Sequence, residues 1–253
     1  MPNTSQTTYK PITFLRPPGQ LKSAEQRRAP MPEYPTQPLI DDISRSLLPE
    51  EYDRAAQTAL TFFDALNEEI IEQREVKLAC AEGCGVCCSL RVDVFAHEAL
   101  LLADHIRRHF GAEEKAALLG RLAAHSEEVM PLSPFEHATR NVPCPMLIEG
   151  RCSVYAARPH SCRRHHSQDL SVCQYTFDHP TDLESPAAHD RDLYRALTAA
   201  MQENIDVYFQ LGFDVTIYEL GTALLEAVSD PASWQRWQDR EQAFLRASIT
   251  PSE

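Results

Sequence analysis

The sequence predicts a mainly α fold: a helical body around an irregular, cysteine-rich metal-binding centre, with a short strand and a small β-hairpin. Three observations carry this. Apolar residues recur at three- and four-residue steps in long stretches towards both ends of the chain. Between those stretches lie all eight cysteines. Around the cysteines, glycine, proline and short alternating runs replace helical periodicity. With 253 residues, 43% hydrophobic and 24% charged, the composition is that of an ordinary globular chain able to bury a core.

Residues 1–49 hold nine of the eighteen prolines and a net charge of +2. Steps such as Pro17-Pro18 and Pro30-Met31-Pro32 block helix and central strand alike, so a mobile Pro-rich arm is expected. Residues 50–253 are expected to form a single mainly helical domain, with a cysteine-cluster core over about 76–175 and C-terminal helices over about 188–248.

A helix is expected over about 51–74, on the stripe Tyr52, Ala56, Ala59, Phe63, Leu66 and Ile70, with Glu50, Glu51 and Asp53 favouring its N-terminal end. Next, KLACAEGCGVCCSLRVDVF reads as a glycine-containing loop and then a strand over Ser89–Phe95. Helices over about 97–110 and 113–129 follow, broken at Gly111. Pro131, Pro134, Pro143 and Pro145 predict an irregular loop, and MLIEGRCSVY predicts a hairpin around Glu149-Gly150. Residues 156–187 show little periodicity. Three helices close the chain. The first, about 188–211, carries Leu193, Leu197, Ala200, Met201, Ile205 and Tyr208 and stops at Gly212. The second spans about 215–229. The third opens at Asp230-Pro231 with Trp234 and Trp237 on one face, as core residues.

The net charge of −13 disfavours nucleic acid or anionic lipid as a partner. No apolar run reaches the roughly 18–20 residues of a membrane span. MPNTSQTTYKPITFLRPPGQ has no apolar stretch behind a basic start, so a cytoplasmic, reducing location is expected. There, eight thiols point to metal or redox chemistry rather than to a disulfide scaffold.

The first cysteine run is Cys80, Cys84, Cys87 and Cys88, four thiols within nine residues. Short spacers let successive sulfurs turn toward one ion while backbone N–H groups point at them, and Gly83 and Gly85 supply backbone freedom for the turn. In an extended chain the adjacent Cys87 and Cys88 would face opposite ways. The second run is spread out: Cys144, Cys152, Cys162 and Cys173. Between its ends Arg151, Arg158, Arg163 and Arg164 outweigh Glu149 and Asp169, and these arginines are candidates to offset thiolate charge. His165 and His166 are candidates to complete a mixed Cys/His site, although eight cysteines make a histidine unnecessary. His97, His105 and His109 are expected on the surface of an amphipathic helix.

Cys80 to Cys88, the Val92/Val94 strand, Glu98 and Ala99, then CPML, GRCSVY, ARP, SCR and a later SxD…C resemble the CxxCxxCC (YkgJ-type) family of cysteine-cluster proteins. The resemblance covers about residues 76–175, with three residues between Cys80 and Cys84 where the family name has two. It implies a bound zinc or iron ion at these cysteines. A flagellin lysine methylase with this kind of cluster is regarded as an iron–sulfur protein, so the resemblance extends to a [4Fe–4S] cluster. No residues matching the methylase activity are found. Cys80, Cys84 and Cys87 also share the spacing that radical S-adenosylmethionine enzymes use. Here, however, a long helix lies upstream, Val86 replaces the aromatic residue before the last cysteine, and no strand–helix alternation follows.

The expected function is a metal-binding protein holding zinc, iron or an iron–sulfur cluster in a structural or redox role. Alternatives are an iron–sulfur-dependent enzyme of electron or methyl transfer, or a zinc-organised adaptor presenting the Pro-rich arm or an acidic face to a protein partner. No nucleotide-binding glycine loop, Ser/His/Asp arrangement or carboxylate pair stands out.

Overall fold

The computed structural model describes residues 36, 39–41, 49–81, 83–185 and 187–250; most of the expected Pro-rich arm lies outside them. Helices α1 (Pro49–Arg74), α2 (Ala96–His109), α3 (Ala112–Val129), α4 (Pro134–Ala138), α5 (His160–Arg164), α6 (Leu170–Asp178), α7 (Arg191–Gln210), α8 (Leu220–Ser229) and α9 (Ala232–Gln238) are joined by irregular chain. Four short strands, β1 (Asp93–Phe95), β2 (Leu147–Ile148), β3 (Arg151–Cys152) and β4 (Ile217–Glu219), form two antiparallel pairs.

The stripe read from α1 is a buried face. Phe63 and Leu66 pack with Leu193, Leu197, Ala200, Met201 and Ile205 of α7. A larger core gathers α2, α3 and α8 around Leu100, Leu102, Leu118, Leu122, Ala223 and Leu224. Its aromatic floor joins Phe213 to Trp237, with ring centroids 4.3 Å apart, and Trp237 to Trp234 at 5.4 Å. Gly212, at φ +76°, turns the chain out of α7 where the sequence places a stop.

β1 and β4 pair through Val94↔Tyr218, flanked by Asp93↔Glu219 and Phe95↔Ile217, and so join distant parts of the chain. Each strand runs straight into a helix whose start is held by a carboxylate. Glu98 Oε2 accepts from Phe95 N–H at 3.0 Å at the head of α2. Glu219 accepts from Gly221 and Thr222 N–H at 2.9 and 2.8 Å at the head of α8, satisfying amides that a helix leaves unpaired.

Four sequence expectations are corrected here. The strand expected over Ser89–Phe95 shrinks to β1, because Val86–Ser89 is a 3₁₀ turn. The second C-terminal helix starts at Leu220, because Ile217–Glu219 is committed to β1. The third ends at Gln238. Beyond it the buried Glu226 carboxylate collects the N–H groups of Leu245, Arg246 and Ala247 at 2.8–3.0 Å, which holds that stretch irregular. The aperiodic segments conceal short helices: α4, capped by the reciprocal Ser133 and Glu136 pair, and α5 and α6.

Glu219 also meets His125 of α3, Nε2 to Oε1 at 3.1 Å. The imidazole lies over the first turn of α8, where only glycine leaves room. A Cβ on Gly221 would sit 2.3 Å from His125 Cδ2. Gly221→Ala should therefore push the ring off Glu219 and lower stability by about 1–3 kcal/mol. Urea unfolding followed by circular dichroism checks this, and an unchanged midpoint would show that α8 can shift away cheaply.

Candidate metal centre

All eight thiols are free, and only Cys80 is exposed. The first run lies on a loop pinned at both ends. At its start, Ala79 N–H donates to Ser167 C=O at 2.8 Å and Ser167 N–H donates back to Cys80 Sγ at 3.3 Å. Gly83 takes φ +84°, and the chain then winds into the 3₁₀ turn that carries Cys87 and Cys88. Because that backbone is helical rather than extended, the two sulfurs do not face apart; Cys87 S–H donates to Cys88.

The second run is brought onto the first. Cys144 N–H donates to Cys88 C=O at 2.7 Å. The predicted hairpin is present as β2 and β3, with Leu147 opposite Cys152. Glu149 and Gly150 both have positive φ, 50° and 77°, as a tight two-residue hairpin turn requires. The hairpin rests on the first loop, since a Cβ on Gly150 would be 3.2 Å from Gly83 C=O. Cys162 is carried by α5, and Cys173 by α6, which packs on the 3₁₀ turn.

Thiol electrostatics show which sulfurs meet. Cys87 is pushed up first by its hydrogen bond to Cys88, then by burial and by the charges of Cys88, Cys162 and Cys80. Burial pushes Cys144 up to about 12, with Cys88 and Cys152 adding to it. Burial also raises Cys162, helped by Cys144, Cys152 and Cys88, and raises Cys152, with Cys88 again contributing. Cys88 is common to all four. It is itself held down at about 7 by the Cys87 S–H, with Arg158 assisting against burial. Backbone N–H groups of Met146 and Val154 point at Cys144 and Cys152, the pattern short metal-binding loops use. Cys84 sits on the same loop, its N–H on Ala81 C=O at 3.1 Å.

Of the four arginines, Arg158 acts on the thiols, favouring ionised Cys88 and Cys152. Arg163 is turned to Asp64 and to the carbonyls of Ala156 and Arg158. Arg164 bonds Thr198 and lies over Tyr194, and Arg151 is exposed. His166 has both ring nitrogens occupied, by Arg164 C=O and Asp190 N–H at 2.9 and 3.0 Å, and His165 is exposed. Neither faces the sulfurs as a free ligand would.

His97 corrects the surface expectation. It is buried, bonds Asn204 Oδ1 through Nε2 at 3.0 Å, and stacks on Tyr208 at 3.9 Å. Burial lowers it to about 4. Beside it, burial opposes the Glu98 charge, but His160 donates from N–H at 2.8 Å and from Nδ1 at 3.0 Å, holding the carboxyl at about 2.

A second buried group escaped the sequence reading. Ligand atoms of His125, His137 and Glu219 lie within 4.8 Å of one another. These residues come from three elements with no local motif. Arg91 Nη1 stands 3.2 Å from His137 Nδ1, and Glu219 is already balanced by His125 and two amides. The guanidinium opposes a cation there, so the trio is a buried ion-pair network.

Residues 79–181 match the model of the CxxCxxCC family, described as a "putative zinc- or iron-chelating domain". The matched segment contains all eight cysteines and supports zinc or iron binding. Neither a curated protein nor a solved structure matches the chain. Among the described residues no helix is long and apolar enough to cross a membrane.

The buried groups set the pH response of the fold. His97 and His137 are both lowered by burial from 6.5 to about 4, so the unfolded chain binds more protons between those values. Stability present above pH 6.5 is lost as pH falls toward 4. Glu98 and Glu219, lowered from 4.5 to about 2, extend the loss below pH 4.5. The urea midpoint should fall on acidification from pH 6.5, and His97→Gln should reduce that slope; a flat midpoint would contradict it.

Proposed function

We propose, taking residues 79–181 as a CxxCxxCC zinc- or iron-chelating segment, that this chain is a metal-binding protein whose centre is held by thiolates of both cysteine runs. Cys80, Cys84, Cys87, Cys88, Cys144, Cys152, Cys162 and Cys173 are its ligand pool, and Cys88 is its hub. What carries the reading is convergence: sulfurs separated by up to 82 residues in sequence, Cys80 to Cys162, crowd together until each opposes ionisation of the next.

Such an arrangement is poor as bare thiolates. Ionising Cys144 at pH 7 without a counter-charge costs roughly 7 kcal/mol, from its shift to about 12. A divalent ion or iron–sulfur cluster reverses the sign, since a coordinating thiol loses its proton outright. One zinc ion takes four ligands. The pool exceeds four, which favours a polynuclear site or an iron–sulfur cluster over a single zinc. The loops bearing the sulfurs bury few apolar side chains, so ligand bonds would supply the stabilisation they lack, a structural role at minimum.

Elemental analysis and visible absorption of anaerobically purified protein identify the metal; absence of zinc and iron alike would sink the proposal. Cys88→Ser should strip metal more completely than Cys84→Ser, and both should increase protease cutting within about 80–95 and 140–175 while far-UV helicity falls only modestly. Metal added to the reduced, metal-free protein at pH 7 should release nearly one proton per ligating thiol, less at Cys88. Retention should weaken as pH falls. Cysteine variants that keep full metal content would move the site elsewhere.

A further inference from the structure

Next to the centre, α1, α2, α7 and the segment leading into α5 enclose a void of about 10 Å³. Its wall is apolar on the side of α1, and its polar lining includes His97, Arg158 and His160. Each of these three residues has one buried nitrogen without a hydrogen-bond partner: His97 Nδ1, Arg158 Nε and His160 Nε2.

Their chemistry is fixed by their other bonds. The Glu98 carboxylate can only accept, so His160 donates to it from Nδ1 at 3.0 Å and leaves a bare lone pair on Nε2. Phe63, edge-on at 4.9 Å, backs that ring. His97 donates from Nε2 to Asn204 Oδ1 at 3.0 Å, which bares Nδ1. Arg158 Nε always carries its proton. Two acceptors and one donor therefore line a space of one-molecule size.

A cation would be repelled by the guanidinium, and an anion would meet two lone pairs. A water molecule donates twice and accepts at least once, makes about three bonds in buried sites, and needs roughly this volume. We infer that the void is a single-water site, the water donating to His97 Nδ1 and His160 Nε2 and accepting from Arg158 Nε. This goes beyond the metal proposal and does not require it. The water ties the Glu98–His160 pair and α2 to the guanidinium that faces Cys88 and Cys152, making His97 and His160 positioning residues for Arg158.

A high-resolution crystal structure of the full chain, with side-chain ¹⁵N spectra of its histidines, tests this. Expected are one oxygen-sized peak about 3 Å from all three nitrogens and single neutral tautomers, protonated at His160 Nδ1 and His97 Nε2. An empty void, an ion with anomalous signal, or the opposite tautomer at either ring would overturn it. His97→Phe should remove the water and shift the His160 Nε2 resonance toward its unbonded value, whereas an unmoved resonance would count against the site. Should that variant fail to fold, the unsubstituted protein still decides.

Discussion

Cys88 stands where the two cysteine runs meet. Its carbonyl receives the Cys144 amide, its sulfur receives the Cys87 proton, and its charge is felt by Cys144, Cys152 and Cys162. Mutual repulsion among sulfurs so placed is the constraint around which the middle of the molecule is arranged. It explains why the loops are studded with N–H groups aimed at sulfur, why a guanidinium is set beside the most acidic thiol, and why the family match falls on this stretch. Helices alone could not build such a site, because an α-helix turns its own amides away from neighbouring side chains.

Around that centre the scaffold repeats one device. β1 and β4 each deliver the chain into a helix whose first amides are held by a buried carboxylate, Glu98 or Glu219, and each carboxylate is matched by a histidine from elsewhere, His160 or His125. Burying a charge without a partner is costly, and these pairs meet that requirement while fixing helix direction. Glu98 belongs to the segment matched by the family, whereas Glu219 lies outside it. The C-terminal helices thus complete the scaffold by the same physics as the cysteine-bearing part.

Much of this was legible in sequence where the signal is local. α1, α3 and α7 carry unbroken stripes, and Glu149-Gly150 specifies its hairpin through two positive φ angles. β4 was not legible, because VTIYELGTALL is apolar throughout and its first residues become strand only by pairing with β1, more than a hundred residues away. α6 buries none of its residues fully, so it leaves no stripe to find. His97 was misplaced because one polar residue on an amphipathic helix looks exposed until Asn204 and Tyr208 arrive from α7. The eight cysteines stood out as a constellation, but the central position of Cys88 depends on a 3₁₀ turn that no spacing rule reveals.

The Ser167 clasp on Ala79 and Cys80 bears on how the protein is made. A ribosome adds roughly 5–20 residues per second. The first four sulfurs therefore leave the tunnel some 4–16 s before Cys162 and Ser167 follow, and longer still before β4 can pair with β1. Throughout that interval Cys80, Cys84, Cys87 and Cys88 form a nascent tetrathiol without its lid, open to oxidants and to whatever ion the cell supplies first. Biogenesis, more than the finished site, is then the stage at which loading and damage compete.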